Sequence, residues 1–276
     1  NIPFVSLTCS FAGKEYPDDF GNSLSYDTFY EGMSNGEMPK TSQPSPEAFY
    51  KAFKEAAAQG KDIICICISS GLSGTFNSAN IARNMMTDEE SECKIAVIDT
   101  LTASLGQGLV VMKAVEMKES GASFDAVVDY FEKIKFNLNT YIVVDDLGHL
   151  KRGGRISSAA ALVGSVLSIK PLLTFNDEGK VISVFKVKGR KNVINTLTRY
   201  VAERIQNPEE QMIAICHGHV PEEAEKLKAS ILNEVKVKDI FINEIGPVVG
   251  AYGGPGALAV FFIGKHRQNH IIDVDI

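Results

Sequence analysis

Ile63-Ile64-Cys65-Ile66-Cys67-Ile68-Ser69-Ser70-Gly71-Leu72-Ser73-Gly74-Thr75-Phe76-Asn77 is the stretch whose reading decides the fold. An apolar run ends in a Ser/Gly-rich turn, and a helix follows at once. The run has the continuity of a strand buried on both faces, as in a parallel sheet covered by helices. A helix that starts directly after such a strand leaves its first backbone N–H groups unpaired. The helix dipole adds partial positive charge there. Ser69, Ser70, Ser73 and Thr75 supply further donors. The segment therefore predicts a small-anion site at the carboxyl end of a strand, where open α/β sheets hold ligands. It lacks the Lys of a G-x-x-x-x-G-K-[ST] loop and is not G-x-G-x-x-G, which argues against nucleotide hydrolysis and dinucleotide binding. No His or Asp partner for Ser73 is evident, so the turn does not read as a nucleophile elbow. A carboxylate or a phosphate remains. The plain alternative is a strand-to-helix turn capped by serines.

Working outward, strand and helix patterns alternate through the first half. Strands are expected at 2–9, 62–69, 94–99 and 141–144. Helices are expected at 25–35, 45–59, 77–86, 102–120 and 123–135. Ser25 reads as an N-cap, and Pro46 sits at a first helical position. This alternation is the signature of a parallel sheet. The second half differs. Asn176-Asp177-Glu178-Gly179 is a turn signal between two apolar runs, and helices are expected at 192–206 and 221–233. Hairpins mixed with helices predict an α+β domain on a partly antiparallel sheet. The expected division is 1–145 for an α/β domain and 146–276 for the α+β domain.

The 276 residues are 45% hydrophobic and 22% charged, ordinary for a globular chain with a well-buried core. No apolar run reaches the roughly 18 to 20 residues of a membrane helix. The opening Asn1-Ile2-Pro3-Phe4-Val5 has no basic stretch and no initiator Met; it reads as an entry into mid-fold, not as a signal peptide. Five cysteines, mostly in apolar runs, point to buried reduced thiols and a cytoplasmic setting. The net charge is −6, yet nine basic residues between Lys151 and Lys191 face only Asp177 and Glu178. That asymmetry suggests a docking face for something anionic, or simply a solvated face.

Two further features bear on the anion site. Thr41-Ser42 stands between Pro39 and Pro44, which fix the backbone around two hydroxyls. Two glycine-studded apolar tracts, 158–169 and 245–262, could line a tunnel for a body attached to the anion. Within the first, Leu162, Val163, Val166, Leu167 and Ile169 are the candidate lining. Close helix packing is the ordinary explanation for such tracts.

With these residues assembled, the chain resembles the DegV family, which includes the fatty-acid-binding subunits of bacterial fatty acid kinase. The resemblance covers essentially the whole chain. It rests on Thr41-Ser42-Gln43-Pro44-Ser45, Ser69–Thr75, Val97-Ile98-Asp99-Thr100, Asp145–Ile156, Ile169-Lys170-Pro171-Leu172, Gly246-Pro247-Val248-Val249-Gly250 and Gly254-Pro255-Gly256, in that order. It implies two domains, the first Rossmann-like (EDD-type), with one long-chain fatty acid between them. It implies that Thr41 and Ser73, with Ser42, Gly74 and Tyr252 beside them, hold the carboxylate. It also implies that a partner kinase phosphorylates that carboxyl while this chain presents it, with Arg152, Arg155 and Arg190 on the kinase-facing side. No chemistry by the chain alone, no cofactor and no metal are expected. Two departures stand out. Many members carry a His just before the Gly-Pro-Gly, where this chain has Tyr252. Members also open with a strand ending in Asp-Ser, which is absent here.

Other readings stay in view. The family's distant likeness to dihydroxyacetone kinase substrate-binding domains raises a small-molecule hydrolase or phosphotransfer enzyme; it would need a nucleophile–base pair that the sequence does not show. A ligand-free interaction protein is the other rival. His217-Gly218-His219 is half a metal motif with no clustered ligands. His149, His266 and His270 read as surface or loop residues. Asp145-Asp146 reads as turn capping. The basic segment lacks a nucleic-acid motif, and the chain is acidic with no tryptophan.

Overall fold

The computed structural model describes residues 2–88, 93–156 and 169–268. The first half builds a small antiparallel sheet, a parallel strand pair and five helices. Strands β1 (Thr8–Phe11), β2 (Lys14–Pro17) and β3 (Lys40–Ser42) pair in the order β2-β1-β3. Helix α1 (Tyr26–Ser34) begins at Ser25, whose hydroxyl accepts from Thr28 N–H. Helix α2 (Pro46–Ala57) begins at Ser45 in the same way, with Pro46 in its first turn. Strand β4 (Ile63–Cys67) runs parallel to β5 (Ile95–Asp99). Helix α3 (Thr75–Asp88) follows β4, and α4 (Leu105–Glu119) and α5 (Phe124–Ile134) follow β5.

Two expectations for this half need correction. The strand expected over 2–9 is confined to Thr8–Phe11, because only that part finds partners in β2 and β3. Four of the five β4 residues are partly exposed, because among the described residues β4 has β5 as its one neighbour. The Thr41-Ser42 segment between its two prolines is a strand paired to β1, with Cys9 opposite Thr41.

The second half is a six-stranded mixed sheet of order β10-β9-β11-β6-β7-β8. Its strands are β6 (Leu138–Val143), β7 (Ile169–Phe175), β8 (Val181–Lys188), β9 (Met212–His217), β10 (Asp239–Glu244) and β11 (Leu258–Ile263). Only β9 and β10 are parallel; the other pairings are antiparallel. The strand expected at 141–144 within the parallel sheet thus lies in this second sheet instead, between β11 and β7. β6 is placed by β11, a partner more than a hundred residues away, which a local pattern does not encode.

The sheet's two faces follow the two-residue period of a strand. Leu258, Val260 and Phe262 of β11 point to one side, with Ile213 and Ile215 of β9. There they meet Val193, Leu197 and Val201 of α7 (Lys191–Arg204) and Leu227 and Ile231 of α8 (Pro221–Glu234). Ala259 and Phe261 point to the other side, with Ala214 and Cys216. They join a core shared with Cys9, Phe29 and Tyr30 of the first half. Two short helices, for which the sequence pattern predicts no element, also lie on that side: α6 (Gly148–Gly153) and α9 (Pro247–Gly253).

The halves are tied by contacts made to backbone carbonyls. Ser69 Oγ donates to Gly179 O at 2.7 Å. A Cβ on Gly71 would stand 2.4 Å from Glu178 O, so only glycine lets the β4–α3 turn close on the β7–β8 hairpin. Arg267, 1% exposed, donates to the carbonyls of Leu101 (2.9 Å), Asn176 (3.2 Å) and Lys135, joining three loops.

Candidate functional site

Between the first half and the free face of the six-stranded sheet lies a cavity of about 340 Å³, within the usual range for small-molecule sites. Its floor crosses the sheet. Cys216 of β9, Ala259 and Phe261 of β11 and Ile142 of β6 line it, with Phe175 and Val181 at the β7–β8 hairpin. Leu7, Ile68 and Leu72 come from the first half, and Val248 and Val249 from α9. Such walls suit a hydrocarbon.

Most of the polar lining is at the mouth, where exposed Ser42, Gln43 and Arg155 bring the cavity to solvent. Thr41 Oγ1 and Tyr252 Oη share a hydrogen bond of 2.6 Å, although 211 residues separate them. Tyr252 reaches this point because its ring lies on Gly153; a Cβ there would come within 2.3 Å of the ring. The Arg155 guanidinium sits 5.0 Å from the centre of the same ring, a cation–π distance. Arg155 also donates to Leu72 O at 3.2 Å and Gly153 O at 2.6 Å, which fixes a positive charge beside the opening. Ser73 Oγ accepts from Thr75 N–H at 3.3 Å and shares a 2.8 Å hydrogen bond with Thr75 Oγ1. Ser73 thus caps one of the α3 N–H groups that the sequence reading left free.

The arrangement brings Thr41, Ser42, Ser73, Tyr252 and Arg155 to one cavity. It does not bring Gly74 or Ile169 to the described cavity wall. Gly74 is pressed by the Gln43 carboxamide, which would be 2.3 Å from a Cβ there; that amide donates to Ser78 Oγ at 3.1 Å. Leu162, Val163, Val166 and Leu167 lie outside the described residues. Arg152 is exposed and contacts the His149 ring at 3.1 Å. Arg190 is engaged elsewhere: it pairs with Glu223 at 2.8 Å and Asp145 at 3.4 Å and donates to Gly256 O at 2.6 Å. Lys170 pairs with Asp145 at 2.8 Å. Acids outside the basic segment therefore neutralise part of its charge.

The 245–262 tract expected to line a tunnel does supply Ala257, Ala259 and Phe261, whereas Ile142, Phe175, Val181 and Cys216 are not expected as lining from the sequence. In that tract Ala257, Ala259 and Phe261 alternate with Leu258, Val260 and Phe262, which marks two buried faces rather than one.

His217 and His219 line a separate, polar hollow of about 510 Å³ with Asp27, Glu222 and Glu244. His219 meets Glu244 at 2.9 Å. Among the described residues no group of three or more His, Cys, Asp or Glu could hold a metal ion. Cys65 and Cys67 share a strand face with their sulfurs 3.7 Å apart, and that contact together with burial drives the Cys67 thiol well up from its ordinary range. No described helix is long and apolar enough to cross a membrane.

Comparison with known proteins agrees with this picture. Residues 1–265 match a family model described as an uncharacterised protein of the DegV family. A DegV domain-containing protein of Clostridium perfringens is 43% identical over 268 residues, which cover 97% of this chain and 92% of the relative. The solved structure of a DegV family protein from Thermus thermophilus, reported for its fatty acid binding, is 30% identical with a TM-score of 0.83; it covers 94% of this chain and 91% of its own. A DegV family protein from Ruminococcus gnavus, refined with vaccenic acid, is 26% identical with a TM-score of 0.84, covering 93% and 90%.

Proposed function

The chain belongs to the DegV family, and from that premise we propose that it is a cytoplasmic carrier of one long-chain fatty acid. The acid lies in a tunnel between the two domains, divided near residue 145. Its carboxylate meets Thr41, Ser42, Ser73 and Tyr252, with Gly74 beside Ser73 in the same turn. One observation carries the reading: a largely apolar cavity of about 340 Å³ whose mouth gathers the hydroxyls of Thr41, Ser42, Ser73 and Tyr252, with the Arg155 guanidinium beside them.

Magnitudes divide the labour between tail and head. Burying an acyl chain gains ~0.8 kcal/mol per methylene, so about 15 methylenes gain ~12 kcal/mol before the costs of binding. A few hydrogen bonds to the head contribute ~1 kcal/mol each. The tail supplies affinity, and the mouth sets which end faces outward. A carboxylate held there is open to a second protein. The finer reading is that a partner kinase phosphorylates it to an acyl phosphate, docking over Arg152 and Arg155, with Arg190 behind them. The chain itself adds no chemistry. Ser73 is bonded to Thr75, with no His or carboxylate hydrogen-bonded to either among the described residues.

Native mass spectrometry of the purified protein before and after organic extraction tests the reading. A bound fatty acid is expected, and delipidated protein should take up palmitate. Thr41→Ala combined with Ser73→Ala should weaken uptake by about tenfold, the equivalent of ~1.4 kcal/mol. A protein that emerges empty and refuses palmitate is not a fatty-acid carrier.

A further inference from the structure

Two polar side chains in the cavity take no part in the mouth. Ser104, at the start of α4, and Cys216, on the sheet floor, line the cavity beside Ala103, Ala259 and Phe261. No hydrogen bond joins them to the Thr41–Tyr252 or Ser73–Thr75 pairs among the described residues.

Ser104 is held in an unusual way. Its backbone has φ +53° and ψ −132°, a conformation that suits glycine and strains a side-chain-bearing residue. Serine is common at helix starts as a cap, yet this side chain caps nothing. Its Oγ donates to Cys216 Sγ at 3.7 Å, and sulfur is a weak acceptor. The Cys216 thiol is 1% exposed, and burial pushes its pKa up to about 12, so it stays a neutral S–H. An apolar wall thus carries a strained hydroxyl with spare hydrogen-bonding capacity. A plain alkyl chain passing it would leave that hydroxyl with a poor partner.

We infer that the cavity is built to take an acyl chain bearing an oxygen along its length, a hydroxy or keto fatty acid, and that Ser104, backed by Cys216, reads that oxygen. The inference rests on the fatty-acid reading of the cavity and narrows its ligand class. A site with a polar group placed for a substrate oxygen favours the oxygenated ligand over its hydrocarbon analogue.

The test is competition binding on the delipidated full chain with stearic acid and a set of stearic acids that each carry one hydroxyl at a different carbon. At least one hydroxylated acid should bind about three- to tenfold tighter than stearic acid, the range of one neutral hydrogen bond. In Ser104→Ala that ratio should collapse to about one. Ser104→Gly, which removes the hydroxyl and relaxes the backbone, should give the same collapse with a higher melting temperature. It serves as the second variant if Ser104→Ala folds poorly. Equal affinities for stearic acid and every hydroxylated acid would overturn the inference while leaving the fatty-acid reading intact. So would a preference that survives both variants. Failure of all the acids to bind would remove the fatty-acid reading and this inference with it.

Discussion

Gly153→Ala isolates the seat of Tyr252. Gly153 ends α6 at an ordinary negative φ, so alanine can adopt its backbone. At such a position alanine ordinarily gains up to ~1 kcal/mol over glycine. Here the new Cβ would stand 2.3 and 2.4 Å from two carbons of the Tyr252 ring. Carbon atoms settle at about 3.5 Å or more, so the ring must retreat by about 1 Å. A retreat of that size strains or breaks its 2.6 Å hydrogen bond to Thr41. Overpacking of this kind costs ~1–3 kcal/mol, and the lost hydrogen bond adds ~1 kcal/mol. Set against the helix gain, the net is a destabilisation of ~1–3 kcal/mol. The signature is a change of sign. In a Tyr252→Ala background the ring is gone, and the same Gly153→Ala change should stabilise by up to ~1 kcal/mol. Thermal and urea melts of the four proteins complete the cycle, with ~2–3 °C expected per kcal/mol in a chain of this size. Fatty-acid titration of the single variant should show weaker binding. If Gly153→Ala stabilises both backgrounds alike, Tyr252 does not rest on Gly153, and the geometry of the mouth described above is wrong.

Two further outcomes can be stated. Arg267→Met removes the donor shared by three carbonyls in a buried setting, and urea melts should show a loss of ~3 kcal/mol or more; a loss under ~1 kcal/mol would refute its role as the tie between loops. Burial lowers the pKa of His217 below its ordinary value of 6.5. A lowered folded-state pKa means that the folded protein disfavours the charged ring. His217 therefore contributes stability that is present above 6.5 and lost as pH falls through the folded value. Its Nδ1 accepts from Val220 N–H at 3.3 Å, a bond an asparagine carbonyl can replace. His217→Asn should consequently lose less stability than wild type on acidification below 6.5; parallel pH profiles would contradict this.

What the sequence discloses depends on how local the deciding chemistry is. Helix starts at Ser25, Ser45 and Ser123 are legible because a serine caps an N–H three residues on, and each does so here. The hairpin at Asn176–Gly179 is legible because its turn residues are contiguous; Gly179 has φ +67°. The helix α9 is not legible, since Gly246, Gly250 and Gly253 make Gly246–Gly253 look like a loop. Its glycines answer to a distant partner: a Cβ on Gly250 would stand 2.8 Å from both the Phe29 ring and Tyr30 Oη. The hydroxyls of the mouth were singled out from their motifs, but the Thr41–Tyr252 bond joins opposite ends of the chain. Arg190 shows the reverse case. Its charge is plain in the sequence, while its ion pairs with Glu223 and Asp145 are made only by the fold.

The closure between the Ser69–Gly71 turn and the Asn176–Gly179 hairpin has a kinetic consequence. Ile68 and Leu72 flank one side of it, Phe175 and Val181 the other, and all four line the cavity. Gly71 meets the main chain of Glu178 and Gly179 there, and the short Ser69 side chain is bonded to Gly179 O, so no long flexible side chain can swing aside to make a gap. A guest passing that seam must wait for the turn and the hairpin to part together. Exchange along this route is then clocked by the breathing of the protein, at one rate for short and long guests, however different their equilibrium affinities.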